Sequence, residues 1–369
     1  MKPRIAKWRI DSDEERRLAH LADYSAEAKA EYVDFYKRND PAYYEKGISM
    51  IDKVLATFCG DVSEERRREY QMDMIYSLHR FGCMYDEYFL LGFENLNTRG
   101  RDSFITDKLR YDYYSFFNQD EYFDIFDNKQ KTYSIFKKFY GREVLFLSSK
   151  EDFDSFVEFR RIHSDFIVKP AAGSTGKGVF IEKSSGKNDE AVFRKVIANG
   201  PVVIEELVKQ VSELSRLHPQ SLNTVRITTI KKANGEVIVF HPFMRCGVGS
   251  SVVDNAGSGG ILVPVDVKTG ICTHMGGDEL GRYYVYHPET KVVFPGFQIP
   301  CWDEAVRFVK VLANVMDSGG CYVGWDCALT ENGWVMIEGN SCGHFIEQFF
   351  TKTGLKRELD EIVEQLKEK

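Results

Sequence analysis

No stretch of this sequence is apolar for long enough to cross a bilayer, and no run of lysine and arginine forms a tail or stripe, so neither a membrane span nor a nucleic-acid partner is expected. The overall balance agrees, because 49 basic and 56 acidic residues leave a net charge of −7. Cysteine patterning is equally poor. Eight cysteines are present, none in a Cys-x-x-Cys pair or at zinc-site spacing, which leaves reduced, buried thiols of a cytoplasmic protein as the expectation. The basic start, Met1 to Arg9, runs into Asp11-Ser-Asp-Glu-Glu15 rather than an apolar segment, so no signal peptide is expected. No Ser-His-Asp or Cys-His set offers nucleophilic catalysis, and no repeat is visible.

What is present is a folded composition, 43% apolar and 28% charged, over 369 residues, enough for two or three subdomains. Aromatic residues concentrate in the first 160 positions and predict a mainly helical, aromatic-rich region over 1–126. Ser12-x-x-Glu15 reads as a capping box opening one long amphipathic helix over 11–38, broken by Pro41 and Gly47, with further helices over 49–58 and 63–80. From Asp127 the pattern alternates helix and strand, predicting a mixed sheet and two α+β segments, 127–205 and 206–369. The second ends in a hairpin turning at Glu331-Asn-Gly333 and a charged helix over 355–367.

Two constellations stand out. Phe166-Ile-Val-Lys169 is a short strand followed by a glycine-spaced loop that includes Gly173, Ser174, Thr175, Gly176 and Gly178. Glycine at these spacings lets backbone amides approach an anion, and Lys169 would add an ammonium, so the loop reads as a polyphosphate lid, with an ordinary solvated turn as the alternative. It is neither a Walker A loop nor a dinucleotide fingerprint, because no Gly-x-x-x-x-Gly-Lys-[Ser/Thr] occurs and no helix pattern follows the glycines. On the late hairpin, Asp326 and Glu338 fall on facing strands, with Asn340 two residues on. Two carboxylates and an amide oxygen suit a hard divalent cation that takes other ligands from phosphate, Mg2+ or else Mn2+; the alternative is that one acid points to solvent.

Residues 128–340 resemble the ATP-grasp superfamily. The resemblance rests on Asn128-Lys129, Phe166-Ile-Val-Lys169 with the loop through Gly178, Val203-Ile-Glu-Glu-Leu-Val208, Asn223-Thr-Val-Arg226, Asp326 and Glu338-Gly-Asn340. Asp254-Asn255, Gly259-Gly260 and Gly324-Trp-Asp326 are most similar to its sugar-transfer-associated branch, related to the α-L-glutamate ligase-like proteins and linked to surface polysaccharide synthesis. The resemblance implies an α/β (α+β) fold, two subdomains gripping ATP behind the N-terminal helical region. It implies that Lys129 and Lys169 contact the α- and β-phosphates. Glu205, Glu206, Leu207 and Val208 would read adenine, Glu213 the ribose and Arg226, beside Asn223, the γ-phosphate. Asp326, Glu338 and Asn340 would hold one or two Mg2+.

The implied reaction is ligation of a carboxylate to an amine through an acyl-phosphate, which asks for positioning and charge neutralisation rather than a side-chain nucleophile. Small-molecule acceptors would sit near His241, Arg245 and the Ser250–Gly260 loop, with Arg245 on the substrate carboxylate and Asp254 orienting the amine. His344 and Gln348 are further candidates for the same cavity. Two alternatives stay open: a kinase acting on a hydroxyl, with Asp254 as base, and a nucleotide-dependent binding module of a glycosyl-transfer assembly. The oligomeric state is not indicated.

Overall fold

The computed structural model describes residues 8–172, 177–232, 234–316 and 321–367. Two compact units divide the chain: residues 117–343 form one, and residues before 117 join those after 343 in the other.

In the helical unit, the expected helix over 11–38 is two helices, Asp13–Ala22 and Ala26–Asn39. The break falls where Ser25 takes an extended backbone and caps the second helix by accepting from the Ala28 N–H. The expected capping box is half made. The Ser12 hydroxyl accepts from the Glu15 N–H, but the Glu15 carboxylate is buried and accepts from the Tyr32 hydroxyl at 2.6 Å and the Tyr36 hydroxyl at 3.1 Å. Pro41 starts the next helix, Pro41–Phe58, instead of only ending the previous one. Gly47 lies inside that helix, beneath Tyr85, whose hydroxyl would be 2.5 Å from a Cβ there. The early aromatics form this unit's core, with Tyr32, Phe35, Tyr76, Tyr88 and Phe93 all buried. The closing helix Lys356–Lys367 belongs here too, with Tyr113 donating to Asp360 at 2.5 Å.

The other unit carries eleven strands among its described residues. A four-stranded sheet contains β1 (Val144–Leu147), β2 (Asp165–Pro170), β3 (Phe180–Lys183) and β4 (Val202–Glu206) in the order β1-β4-β2-β3. A seven-stranded sheet contains β5 (Val225–Lys231), β6 (Val237–Cys246), β7 (Ile261–Pro264), β8 (Gly276–Gly277), β9 (Tyr283–Tyr284), β10 (Tyr322–Thr330) and β11 (Gly333–Asn340), in the order β11-β10-β5-β6-β7-β8-β9. The expected mixed sheet is not found: every paired strand is antiparallel. The crossover helix Phe153–Ile162 does make β1 and β2 run the same way, but β4 inserts between them and opposes both. None of the eight cysteines is in a disulfide, but only Cys83, Cys246, Cys272 and Cys327 are buried; Cys59, Cys321 and Cys342 are half-buried and Cys301 is exposed.

Alternation along β10 and β11 separates core from site. Trp325 faces inward, its indole N–H donating to Thr229 Oγ1 at 2.8 Å and its ring packed against Phe126 and Phe136. Gly339, opposite Trp325, admits the Phe126 ring, which would be 2.5 Å from a Cβ. Asp326 and Glu338 fall to the other side. The chain reaches β1 through Gly141, whose φ is +60° and whose Cβ would lie 2.5 Å from Val335 Cγ1 on β11. Gly141→Ala is therefore expected to destabilise the protein by about 2 kcal/mol, from left-handed strain plus overpacking, read as a lowered denaturation midpoint with an unchanged m-value; an unchanged midpoint would contradict this packing.

Candidate functional site

A cavity of about 410 Å³ is lined from both sheets, by Lys169 and Glu205 on one and by Arg245, Asp326 and Glu338 on the other. Register explains the second group. Arg226 on β5 pairs with Asp326 on β10, which pairs with Glu338 on β11, so three ionisable side chains cross adjacent strands in one row. Beyond Asp326 the register slips: Cys327 pairs with Met336, leaving Ile337 as the extra residue of a bulge.

Asp326 is buried and held from two sides. Arg226 grips it through Nε and through Nη2, the latter at 2.9 Å, and Arg245 Nη1 donates to it at 3.0 Å. Burial alone would raise its pKa, but the two guanidiniums more than offset this and hold it below the usual carboxylate range. Glu338 goes the other way: burial, and then the charge of Asp326, push its pKa up. Asn340 Nδ2 lies 3.5 Å from Asp326 Oδ2. Among the described residues no three His, Cys, Asp or Glu side chains gather as a metal cage. The pair Asp326 and Glu338 still fits a divalent cation by its chemistry, since two hard oxygen donors face each other across strands and Glu338 carries a repulsion that a cation would relieve.

The opposite wall is cationic. Asn128 caps the helix Lys129–Phe136 by accepting from the Gln130 N–H at 3.0 Å, which sets Lys129 at its first turn on the cavity. Burial lowers the pKa of Lys129, with Glu338 opposing the shift and Lys169 adding to it. Lys169 Nζ contacts Glu205 Oε1 at 2.8 Å, and Arg142 Nε contacts Glu205 Oε2 at 2.7 Å. Burial would raise the Glu205 pKa, but Arg142 and Lys169 bring it down to about 2. Arg142 carried no local sequence signal, being a lone arginine between a helix end and a strand.

Other expected residues are placed differently from the expectation. Glu205 does not offer its carboxylate to a base edge, because two cations occupy it, and Glu206 accepts from the Glu143 N–H at 3.1 Å; Glu206, Leu207 and Val208 still line the cavity. Glu213 is exposed and is not part of the lining, since the turn Ser212–Ser215 buries Leu214 instead; Ser215 and Gln210 line the wall. Asn223 is buried behind the wall, its amide donating to the carbonyls of Leu214 and His218 at 3.0 Å each, and so acts as a loop clamp. Arg226 also stands outside the lining, behind Asp326, whereas Arg245 reaches it. Asp254 and Asn255 line the cavity, but Asp254 already accepts from the Thr224 N–H at 2.8 Å and Arg245 Nη2 at 2.7 Å. His241 is outside the lining. Gln348 is stitched inside the helical unit, exchanging hydrogen bonds of 2.9 Å with the backbone of Ile105, and His344 belongs to that same unit. Gly173, Ser174, Thr175 and Gly176 lie outside the described residues, while Gly178 has a φ of +79° and its neighbour Lys177 lines the cavity.

Comparison with known proteins accords with this geometry. Residues 108–364, well over half of the chain, match the family of sugar-transfer associated ATP-grasp proteins. The chain belongs to that family, and its fold is the α/β (α+β) ATP-grasp fold with an N-terminal helical region. Curated proteins gave no match. Among solved structures, it is similar to an ADP complex of N5-carboxyaminoimidazole ribonucleotide synthetase (15% identity, TM-score 0.39, 60% of this chain and 46% of that one). It is also similar to the ATP-grasp ligase PsnB complexed with a minimal precursor (15%, 0.40, 68% and 63%) and to an L-amino acid ligase from Bacillus licheniformis (12%, 0.37, 60% and 42%). The chain spans less than two thirds of the length of each. Among the described residues no helix is long and apolar enough to cross a membrane.

Because its folded pKa is depressed from 4.5 to about 2, Glu205 contributes stability that is complete above its ordinary pKa and is lost as pH falls toward 2. Glu205→Gln is expected to cost about 3 kcal/mol at pH 7, and the gap from the parent should close on acidification. Urea unfolding of both proteins across that range measures it; a gap that stays constant with pH would contradict the ion pairs.

Proposed function

We propose that this chain is an ATP- and Mg2+-dependent, ADP-forming ligase that joins a carboxylate to an amine or similar nucleophile through an acyl-phosphate. The observation that carries the reading is the charge layout of one cavity: Lys129, Lys169, Lys177 and Arg245 on its walls, with Asp326 and Glu338 adjacent across two strands. A triphosphate needs the first group, and a cation accompanying it needs the second.

In this reading Lys129 and Lys169 bind phosphate oxygens, and the backbone of Glu206, Leu207 and Val208 meets adenine, with the apolar faces of Ile167 and Val203 beside it. Lys177 and Gly178, at the end of the glycine-spaced loop, would meet the phosphates. Arg245, on the cavity wall, would bind the substrate carboxylate as it attacks the γ-phosphorus, and Arg226 would act through Asp326 by fixing its orientation. Asp326 and Glu338, with Asn340, would hold Mg2+, which supplies charge neutralisation to the phosphates as the γ-phosphoryl group moves. The amine then displaces phosphate from the acyl-phosphate, and no covalent side-chain intermediate is needed. Asp254 orients Arg245 and the loop that carries Asn255. We place the reaction in the cytoplasm, in surface polysaccharide or natural-product synthesis, with the two sheets serving as gripping subdomains over 127–205 and 206–343.

The test supplies ATP, Mg2+ and pooled carboxylic acids with hydroxylamine, and reads ADP, phosphate and hydroxamate together. Hydroxamate with matching phosphate is expected, and Glu338→Ala should reduce it at least about 100-fold. ADP without phosphate when hydroxyl compounds are supplied would indicate a kinase instead, and nucleotide binding without any product would indicate a binding module.

A further inference from the structure

Arg142 joins the two walls of the cavity directly, through hydrogen bonds to both the Glu205 carboxylate on β4 and the β11 backbone. Its Nε donates to Glu205, its Nη1 donates to the carbonyls of Tyr140 at 2.9 Å and Met336 at 2.7 Å, and its Nη2 donates to the carbonyl of Ile337 at 3.3 Å. The guanidinium also lies over the Tyr140 ring, 4.5 Å from its centroid, and its side chain is only 2% exposed. Ile337 is the bulged residue that sets Glu338 opposite Asp326, so the arginine holds the bulge by its backbone. At its other end it shares Glu205 with Lys169, and both Lys169 and Glu205 face the cavity.

The charges add up in a way that bears on phosphate. Lys169 paired with Glu205 alone would be neutral as a unit and would present little field to an anion. With Arg142 on the other carboxylate oxygen the trio carries one net positive charge, and Lys169 is the member that the nucleotide reading assigns to the phosphates.

We infer that Arg142 is a positioning residue: it neutralises Glu205 from behind, so that the charge of Lys169 remains available to a phosphate ligand, while it pins the β11 bulge that presents Glu338. The inference rests on the nucleotide reading above and adds a residue that borders the same cavity but whose guanidinium is committed to Glu205 and to backbone carbonyls. Its signature is that the effect of losing Arg142 passes through Glu205.

The test is a cycle of Arg142→Met, Glu205→Gln and the double variant, with affinity for N-methylanthraniloyl ADP read by fluorescence and folding checked by circular dichroism. Arg142→Met should weaken binding roughly tenfold, as for the loss of one nearby unit charge, and the double variant should recover to within about threefold of the parent. Arg142→Lys, which keeps the charge without the fork, should stay within about threefold as well and serves where Arg142→Met fails to fold. Affinity unchanged in Arg142→Met, a double variant as weak as Arg142→Met, or a lysine variant as weak as that would each overturn the inference while leaving the nucleotide reading in place. A parent protein that does not bind the probe would overturn the nucleotide reading, and this inference with it.

Discussion

A carboxylate that water does not reach must be paid for by fixed cations, and Asp326 shows how the surrounding structure meets that demand. Its position on β10, one strand in from the edge of a seven-stranded sheet, is set by the strands on both sides, β11 and β5. Arg226 and Arg245, from β5 and β6, both turn onto it, and each is in turn restrained: Arg226 by the space that Gly324 leaves, with a Cβ there 3.0 Å from its Cδ, and Arg245 by Asp254. Glu338 beside it is left with a raised pKa, so a divalent cation in this row of the sheet would relieve a repulsion rather than add one.

The opposing wall solves the mirror problem. Three cations, Lys129, Lys169 and Arg142, come close together, and Glu205 is the acid that makes their proximity tolerable. Excess positive charge on one wall and excess negative charge on the next is an unstable arrangement for an empty apolar core but a complementary one for a polyphosphate with its cation. The two walls are bound to each other through Arg142, so their spacing is set by a rigid planar fork instead of a flexible loop.

How much of this could be read from the sequence follows from how local each signal is. The hairpin through Glu331-Asn-Gly333 and the alternation along it put Asp326 and Glu338 on facing strands, because turn chemistry and period two act over a few residues. Lys169 is legible at a strand end beside the glycine-spaced loop, whereas Lys129 enters only through the resemblance. Glu213 and Asn223 were read into the site from resemblance, yet a single short turn sends the first to solvent and the second into a clamp. Arg142 could not be found that way, since its partners lie 63 and 194 residues away. The same limit explains the last helix, whose amphipathic pattern marks a buried face but does not say that it belongs with the N-terminal residues of the helical unit. At Glu15 a capping pattern yielded to two tyrosine hydroxyls from the next helix, a tertiary contact overriding a local one.

The central claim is that one cavity takes a nucleotide's phosphates on its lysines and a divalent cation on Asp326 and Glu338. Crystals grown with a non-hydrolysable ATP analogue and Mn2+, measured at the manganese absorption edge, test it most directly. The account predicts an anomalous peak within coordination distance of both carboxylates and of the phosphates, with Lys169 on the opposite side of the phosphate chain. Nucleotide bound elsewhere, or phosphates in the cavity with manganese coordinated by other residues, would contradict it.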